Sequence, residues 1–302
     1  MMGKERKIWL NGEMIPEENA TVNVMSHAFT RGAAIFEIFG VHKTPDGPAA
    51  FRMDDHLKRF EKSIELLDME LPRSINEIKQ AAIDCVKTNN IEDVFVRIMA
   101  YHSGESYSTV PPDGDLDILI LAFSFDPFRG GMNKPVSACI SKWRKLHPQT
   151  VPVECKVSGN YVNGMMSSLD AKKRGFGLGI MLDTQGFLAE LSTASIFIVK
   201  DGVLMTSPLG TILSSVSRRT VIAVARAEGI EVIEKAIRAD EILDADEIFS
   251  SSTALKVWSV NRIEDRDIED APGPVSTQLS RTISGICSGS DERFKDWLTL
   301  MK

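Results

Sequence analysis

Residues 153–166 read VECKVSGNYVNGMM. Lys156 stands between Cys155 and Val157, with Val153 one alternation earlier, so a charged side chain interrupts what reads as a short buried strand. A lysine in low dielectric favours its neutral form, and a neutral amine is the nucleophile of Schiff-base chemistry. The same pattern also fits a strand-end lysine that snorkels its ammonium to water. A helix is expected from about Asn160 to Arg174, closed by Gly175, with Tyr161 at its start, where the phenol can return toward the lysine.

Downstream, GFLAELSTASIFIV sets Glu190 between two apolar strand segments, 34 residues after Lys156. If buried, that acid needs a partner; if it lies at a hairpin edge, water serves it. FIVKDGVLMTS reads as two strands joined by an Asp-Gly turn. Two serine-rich turns follow, LSSVSRR (213–219) and FSSSTA (249–254). The first opens a helix that runs to Gly229, and a helix start offers free N–H groups and a dipole suited to phosphate. Each turn alone is more often an ordinary helix cap or turn. Lysine, acid, tyrosine and a phosphate cradle together suggest pyridoxal phosphate.

Upstream, Trp9 to Met14 with Asn11-Gly12 predicts a hairpin. MDDHLKRFEKSIELLDME puts Leu57, Phe60, Ile64 and Leu67 on one helical stripe. Ser74 with Glu77 forms a capping box for a second helix. VFVRIMAY (94–101) alternates, with Phe95, Arg97 and Met99 on one face. DPFRGGMNKP (126–135) is the linker candidate, and a strand is expected near 136–143. These elements define an α/β protein with a first domain over 1–125 and a more β-rich second over 136–302. A length of 302 residues fits two cores better than one.

The composition excludes several classes. Charged residues at 25 % and apolar residues at 43 % are globular values, and a net charge of −7 opposes nucleic-acid binding. The longest apolar run, ILILAFSF (118–125), has strand length, and the N-terminus lacks the apolar core of a secretory signal. Four dispersed cysteines read as reduced thiols of a cytoplasmic protein, and the five histidines show no metal-ligand spacing. GFGLG (175–179) precedes a strand rather than opening a helix, so it reads as a turn and not a nucleotide loop. Ser26-His27 finds no acid at a triad spacing.

The blocks WLNGEMIPEENATVNVMSHAF, FRMDDHLKRF, KVSGNYVNGMMSSLDAKKRG, LAELSTASIFIVKDGVLMTSPL, ADEIFSSSTALKV and PGPVSTQL occur in one order over nearly the whole chain. In this the sequence resembles the class IV (fold type IV) pyridoxal-phosphate aminotransferases, and most of all the branched-chain aminotransferases. The resemblance implies a two-domain fold, with a smaller N-terminal α/β domain and a larger C-terminal pseudo-barrel domain, and a homodimer with shared active sites. It implies that Lys156 carries the cofactor and moves the substrate proton, that Glu190 keeps the pyridine nitrogen protonated, and that Tyr161 bonds the phenolic oxygen. Arg52, Ser217, Thr253 and the backbone around Val216 match the phosphate anchor, Leu213 corresponds to the leucine that packs on a ring face in the family, and Ser252 stands in the second turn where glycine is usual.

For substrate, the resemblance implies Arg31, Phe36, Ile38, Phe95, Arg97 and Ala254. The family's phosphate turn usually reads leucine-proline-glycine-isoleucine-threonine-arginine; here it is LSSVSR, which keeps a hydroxyl but loses proline and glycine. In AFTRGAAIFEIFG (28–40), Arg31 occupies the position of a pocket tyrosine, Ile38 that of a glycine, and Phe95 that of another tyrosine. A guanidinium suits a carboxylate, so Arg31 and Arg97 are the carboxylate candidates; an interface salt bridge for Arg31 and a structural ion pair for Arg97 are the alternatives. The expected reaction exchanges an amino group between a branched-chain or other apolar amino acid and a 2-oxo acid. A D-amino-acid or (R)-amine transaminase, some of which carry arginine at this position, or an aminodeoxychorismate-lyase-like enzyme, is the alternative on the same fold.

Overall fold

The computed structural model describes residues 6–114, 116–124 and 134–302. The chain divides into two units: Met1–Phe125 with Cys155–Gly159 and Cys287–Lys302, and Asp126–Glu154 with Asn160–Ile286. The first unit is thus assembled from three pieces of chain, because the Lys156 segment and the C-terminus return to it. Of the linker candidate, residues 126–133 lie outside the described residues.

The first unit is built on a seven-stranded antiparallel sheet. Its strands are β1 (Lys7–Leu10), β2 (Glu13–Pro16), β3 (Ala34–Thr44), β4 (Gly47–Phe51), β5 (Val94–His102), β6 (Leu116–Phe123) and the C-terminal strand Leu298–Leu300. They run in the order C-terminal strand–β4–β3–β5–β6–β1–β2. The β1–β2 hairpin turns where expected: Asn11 (φ 51°) and Gly12 (φ 114°) both take the positive φ such a tight turn demands. A short helix α1 (His27–Arg31) leads into β3, capped at its start by Ser26 and ended by Gly32 in the left-handed region. Two longer helices, α2 (Met53–Leu66) and α3 (Ile75–Asn89), cover one face of the sheet. α2 buries Leu57, Phe60 and Ile64 of the predicted stripe, whereas Leu67 falls just past the helix end and is half-buried; α3 starts on the Ser74–Glu77 capping box. The alternation of β3, β5 and β6 sends Ile35, Phe39, Val96, Ile98, Ile118 and Ile120 into the core beneath these helices.

The second unit holds a nine-stranded mixed sheet. Its strands are β7 (Val136–Ile140), β8 (Leu178–Leu182), β9 (Leu188–Leu191), β10 (Ser195–Lys200), β11 (Val203–Thr206), β12 (Val232–Glu234), β13 (Glu247–Ser251), β14 (Trp258–Ile263) and β15 (Arg266–Asp267). The order is β12–β11–β10–β13–β14–β7–β8–β9, with β15 on β14. Its helices are α4 (Tyr161–Lys173), α5 (Val216–Ala227), α6 (Ala239–Leu243) and α7 (Pro274–Cys287). α4 lies close against β8 and the turn after β9. A Cβ at Gly164 would stand 2.6 Å from the Ser192 carbonyl oxygen, and one at Gly179 2.6 Å from that of Ser167.

One local expectation needs correction. Val153, Cys155 and Val157 are buried in alternation, yet no strand forms there. The segment meets β3 only where that strand begins, in a single antiparallel bridge between Val157 and Ile35, and then turns through Ser158–Asn160 into α4. One crossing point cannot support a ladder.

Candidate active site

In the first unit, main-chain bonds fix Lys156 on both sides. Its N–H donates to Ser63 Oγ (3.1 Å) and its carbonyl accepts from Phe36 N (3.0 Å). Three residues on, Gly159 N donates to Gly32 O, where Gly32 (φ 71°) approaches Gly159 closely enough that a Cβ would sit 3.1 Å from its Cα. The half-buried Lys156 ammonium lies 4.7 Å from the centroid of the Phe36 ring. Lys156 is therefore held at the start of β3, immediately after the α1 turn that carries Arg31.

Phe36 belongs to the sheet face opposite α2 and α3. Antiparallel register pairs Phe36 with Met99, Ile38 with Arg97 and Gly40 with Phe95, so these side chains share that face. Leu119, Leu121 and Phe123 of β6 continue it. The result is an apolar wall with a guanidinium set in it: Arg97 lies 5.6 Å from the Phe36 ring centroid and 5.8 Å from that of Phe123. Arg31 is exposed, and its Nη1 donates only to its neighbour Thr30 O (3.3 Å); among the described residues no carboxylate pairs with it. Arg52 takes a left-handed backbone (φ 54°) at the start of α2, uncommon for an arginine. Its Nε donates to Asp55 (2.8 Å), and its guanidinium lies 4.3 Å over the Trp297 ring.

Beneath the wall sits a charged cluster that the sequence reading did not single out. Glu37, fully buried, accepts from His56 Nδ1 (2.7 Å) and from Arg59 through Nε and Nη2 (2.7 Å each). An acid inside the apolar run AIFEIF, with His56 and Arg59 three apart on the buried face of α2, was the available signal. Burial alone pushes the Glu37 carboxyl up, but the Arg59 charge and the bonds from Arg59 and His56 outweigh it and hold the carboxyl at about 2. Burial pushes the His56 imidazole down more than Glu37 raises it, so the ring stays neutral and donates. Both folded values lie below their unfolded ones, so the unfolded chain binds more protons on the acid side. Stability should hold above pH 7, fall as pH drops through the histidine range, and fall further toward the Glu37 value. Melting curves from pH 8 to pH 4, beside His56→Gln, check this. A wild-type stability that rises below pH 6.5 would contradict it.

In the second unit Glu190 lies within β9, 8 % exposed. Its Oε1 meets the Lys145 ammonium at 2.6 Å, and among the described residues no other donor reaches the carboxylate. The hairpin-edge alternative for Glu190 does not hold, because the acid is buried and paired. Tyr161 is half-buried at the first position of α4. Val216 and Ser217 open α5, where first-turn N–H groups have no intrahelical acceptor. Ser215 caps the helix by accepting from Arg218 N, and the buried Arg218 donates to Ser207 O and Glu234. Leu213 is half-buried just before the cap, its carbonyl accepting from Ser215 N. Ser252, Thr253 and Ala254 form a half-buried turn after β13, closed by Ser252 N to Leu255 O and Leu255 N to Ser252 Oγ.

Residues 34–263 match the class IV amino-transferase family, and the chain belongs to it; it is an aminotransferase with that family's fold. Its relatives are specific. A branched-chain-amino-acid aminotransferase of Salmonella typhimurium is 31 % identical over 296 residues, covering 96 % of each chain. The crystal structure of the Escherichia coli branched-chain amino acid aminotransferase superposes with a TM-score of 0.95 at 30 % identity, over 99 % of this chain and 100 % of that one. The crystal structure of the branched-chain aminotransferase from the archaeon Thermoproteus uzoniensis with norvaline gives 0.92 at 32 % identity, over 98 % of this chain and 99 % of that one.

Proposed function

We propose that this chain is a pyridoxal-phosphate-dependent transaminase that moves an amino group between a branched-chain or similar apolar amino acid and a 2-oxo acid such as 2-oxoglutarate. The observation that carries the reading is the wall of β3, β5 and β6: apolar side chains beside Lys156, interrupted by the guanidinium of Arg97. Apolar surface suits the side chain of the donor, and a guanidinium over aromatic rings suits a carboxylate. The relatives named above support the choice of donor, since they are branched-chain enzymes and one was crystallised with norvaline, an apolar amino acid.

The donor set fits the cofactor. Glu190 is a nine-tenths buried carboxylate with Oε2 unclaimed among the described residues, which suits a pyridinium N–H. The Val216 and Ser217 N–H groups and the Ser217 hydroxyl suit a phosphate, with Thr253 as a further donor in the same unit; Arg52, in the first unit, is the guanidinium that the family resemblance assigns to the same anion. Leu213 offers an apolar contact for a ring face, Tyr161 a phenol for the cofactor's own phenolic oxygen, and Lys156 a primary amine. When bound, the cofactor supplies an electron sink for the charge left on the substrate carbon and carries the amino group between the two half-reactions. Lys156 takes the proton from the substrate carbon and returns it, with the Phe36 ring against one side of the amine.

A homodimer of the cytoplasm completes the reading. Val24, Phe29, Tyr107 and Val110 are exposed in the first unit, and Val162, Met165 and Leu169 line one exposed side of α4 in the second. Apolar groups so grouped mark association surfaces. The four cysteines are buried thiols, as a reducing compartment allows. The test of the reaction is a panel of L- and D-amino acids and amines with pyruvate and 2-oxoglutarate as acceptors, with chiral analysis of the products. Activity confined to D-amino acids or amines overturns the branched-chain assignment.

The alternative D-amino-acid reading rests on Arg31, whose exposed guanidinium has no carboxylate partner among the described residues. If Arg31 clamps a substrate carboxylate, Arg31→Gln should lower kcat/KM for 2-oxoglutarate or glutamate by roughly ten- to a hundred-fold, and for a neutral amine much less. Single-turnover half-reactions measure this. Equal losses for every substrate, with a shift toward monomers on a sizing column, make Arg31 an interface residue instead.

A further inference from the structure

Lys145 has no part in the sequence blocks that define the reaction, and yet among the described residues it alone contacts the Glu190 carboxylate. The pair is 2.6 Å apart, with the two side chains only 11 % and 10 % exposed. Its origin is in the sheet. After β7 the chain continues beside β8, with Ser141 N donating to Ile180 O and Lys145 N to Leu182 O (2.8 Å each). Leu182 pairs with Leu188 of β9, two residues before Glu190. Lys145 is therefore anchored by its main chain to the strand that neighbours β9, and its ammonium reaches one oxygen of the acid.

We propose that Lys145 is a positioning residue for the pyridine nitrogen: it fixes the orientation of the Glu190 carboxylate by holding Oε1, which leaves Oε2 for the ring N–H. The inference rests on the reading that Glu190 serves that nitrogen. A buried carboxylate without a partner has no fixed direction and turns toward whatever water it can reach, which makes it a poor acceptor for a pyridinium. An ammonium at hydrogen-bond distance fixes one oxygen without occupying the second. A pair meant only to tie two strands together has no need of an oxygen left unclaimed.

The test compares binding of pyridoxal phosphate with that of its 1-deaza analogue, which has carbon in place of the ring nitrogen, to the full-length apoprotein followed by absorbance and fluorescence. Wild type should prefer pyridoxal phosphate by roughly tenfold or more, the scale of a charge-assisted hydrogen bond. Lys145→Met should reduce the preference to within about threefold, and Lys145→Arg should restore most of it, since a guanidinium can hold the same oxygen. The melting temperature of the apoprotein is followed in parallel. Lys145→Met should lower it, and Lys145→Met with Glu190→Gln should recover it, because the double change removes the unpaired buried charge. A Lys145→Met protein that melts lower but keeps the wild-type preference for the ring nitrogen would overturn the proposal and leave a structural ion pair. A wild type without that preference fails earlier, at the assignment of Glu190 itself.

Discussion

Lys156→Ala is expected to lower turnover by roughly 10⁴-fold while leaving the fold intact. The expectation of an intact fold comes from the main chain. The bonds that place this residue run through its own N–H to Ser63 and its carbonyl from Phe36, and neither needs the side chain. The aliphatic stem and ammonium contribute contact with the Phe36 ring, so the change in melting temperature should be small. On the proposed reading the loss is then chemical, since the variant lacks the amine assigned to hold the cofactor and move the substrate proton. Two measurements check it. Single-turnover absorbance changes with leucine should vanish in the variant, and borohydride reduction of wild type should leave the cofactor on the peptide that contains Lys156. Label recovered on another lysine, or half-reaction rates within tenfold of wild type, would assign the role elsewhere.

Much of the fold was legible because it is written in local chemistry. The Asn11-Gly12 turn, the Ser74–Glu77 capping box, the Leu57–Phe60–Ile64 stripe and the serine cap before Val216 each depend on residues within a few positions of one another. Alternation in residues 94–101 separated the core face from the face with Phe95, Arg97 and Met99, which is the wall described above. Two features depend on contacts far apart in sequence, and these were not legible. The return of Cys155–Gly159 and Cys287–Lys302 to the first unit is decided by where β3 and β4 find partners. The same distance hides the Lys145–Glu190 pair: nothing in KWRKLHPQ sets Lys145 apart from Lys142, and only the alignment of residues 141–145 along β8 brings one of them to the acid.

The Glu37 cluster is a different omission. Its acid stands six residues after Arg31 in AFTRGAAIFEIFG, and a charge in a strand as apolar as β3 requires a partner by the rule applied to Glu190. The cluster bears on the site through geometry. Glu37 lies between Phe36 and Ile38 on the opposite face of the same strand, so the bonds to His56 and Arg59 fix the part of β3 that presents the wall.

Glu190→Gln should retain the cofactor and slow the first half-reaction by roughly 10²–10³-fold. A carboxylate stabilises a proton at the pyridine nitrogen; an amide carries no charge to do so, and each pKa unit lost there is worth about 1.4 kcal/mol. On the proposed reading the cofactor stays because the phosphate donors assigned to Val216 and Ser217 belong to a different element, the start of α5. A second consequence must be separated from the first, because the substitution leaves the Lys145 ammonium without its counter-charge in a nine-tenths buried place. Lys145→Met in the Glu190→Gln background relieves that burial cost but returns no negative charge. The double variant should therefore melt near wild type and still react slowly. Recovery of the half-reaction rate together with stability would show that Glu190 acts through the packing of β9 alone, whereas slow chemistry in a stable protein ties the rate to the charge of this carboxylate.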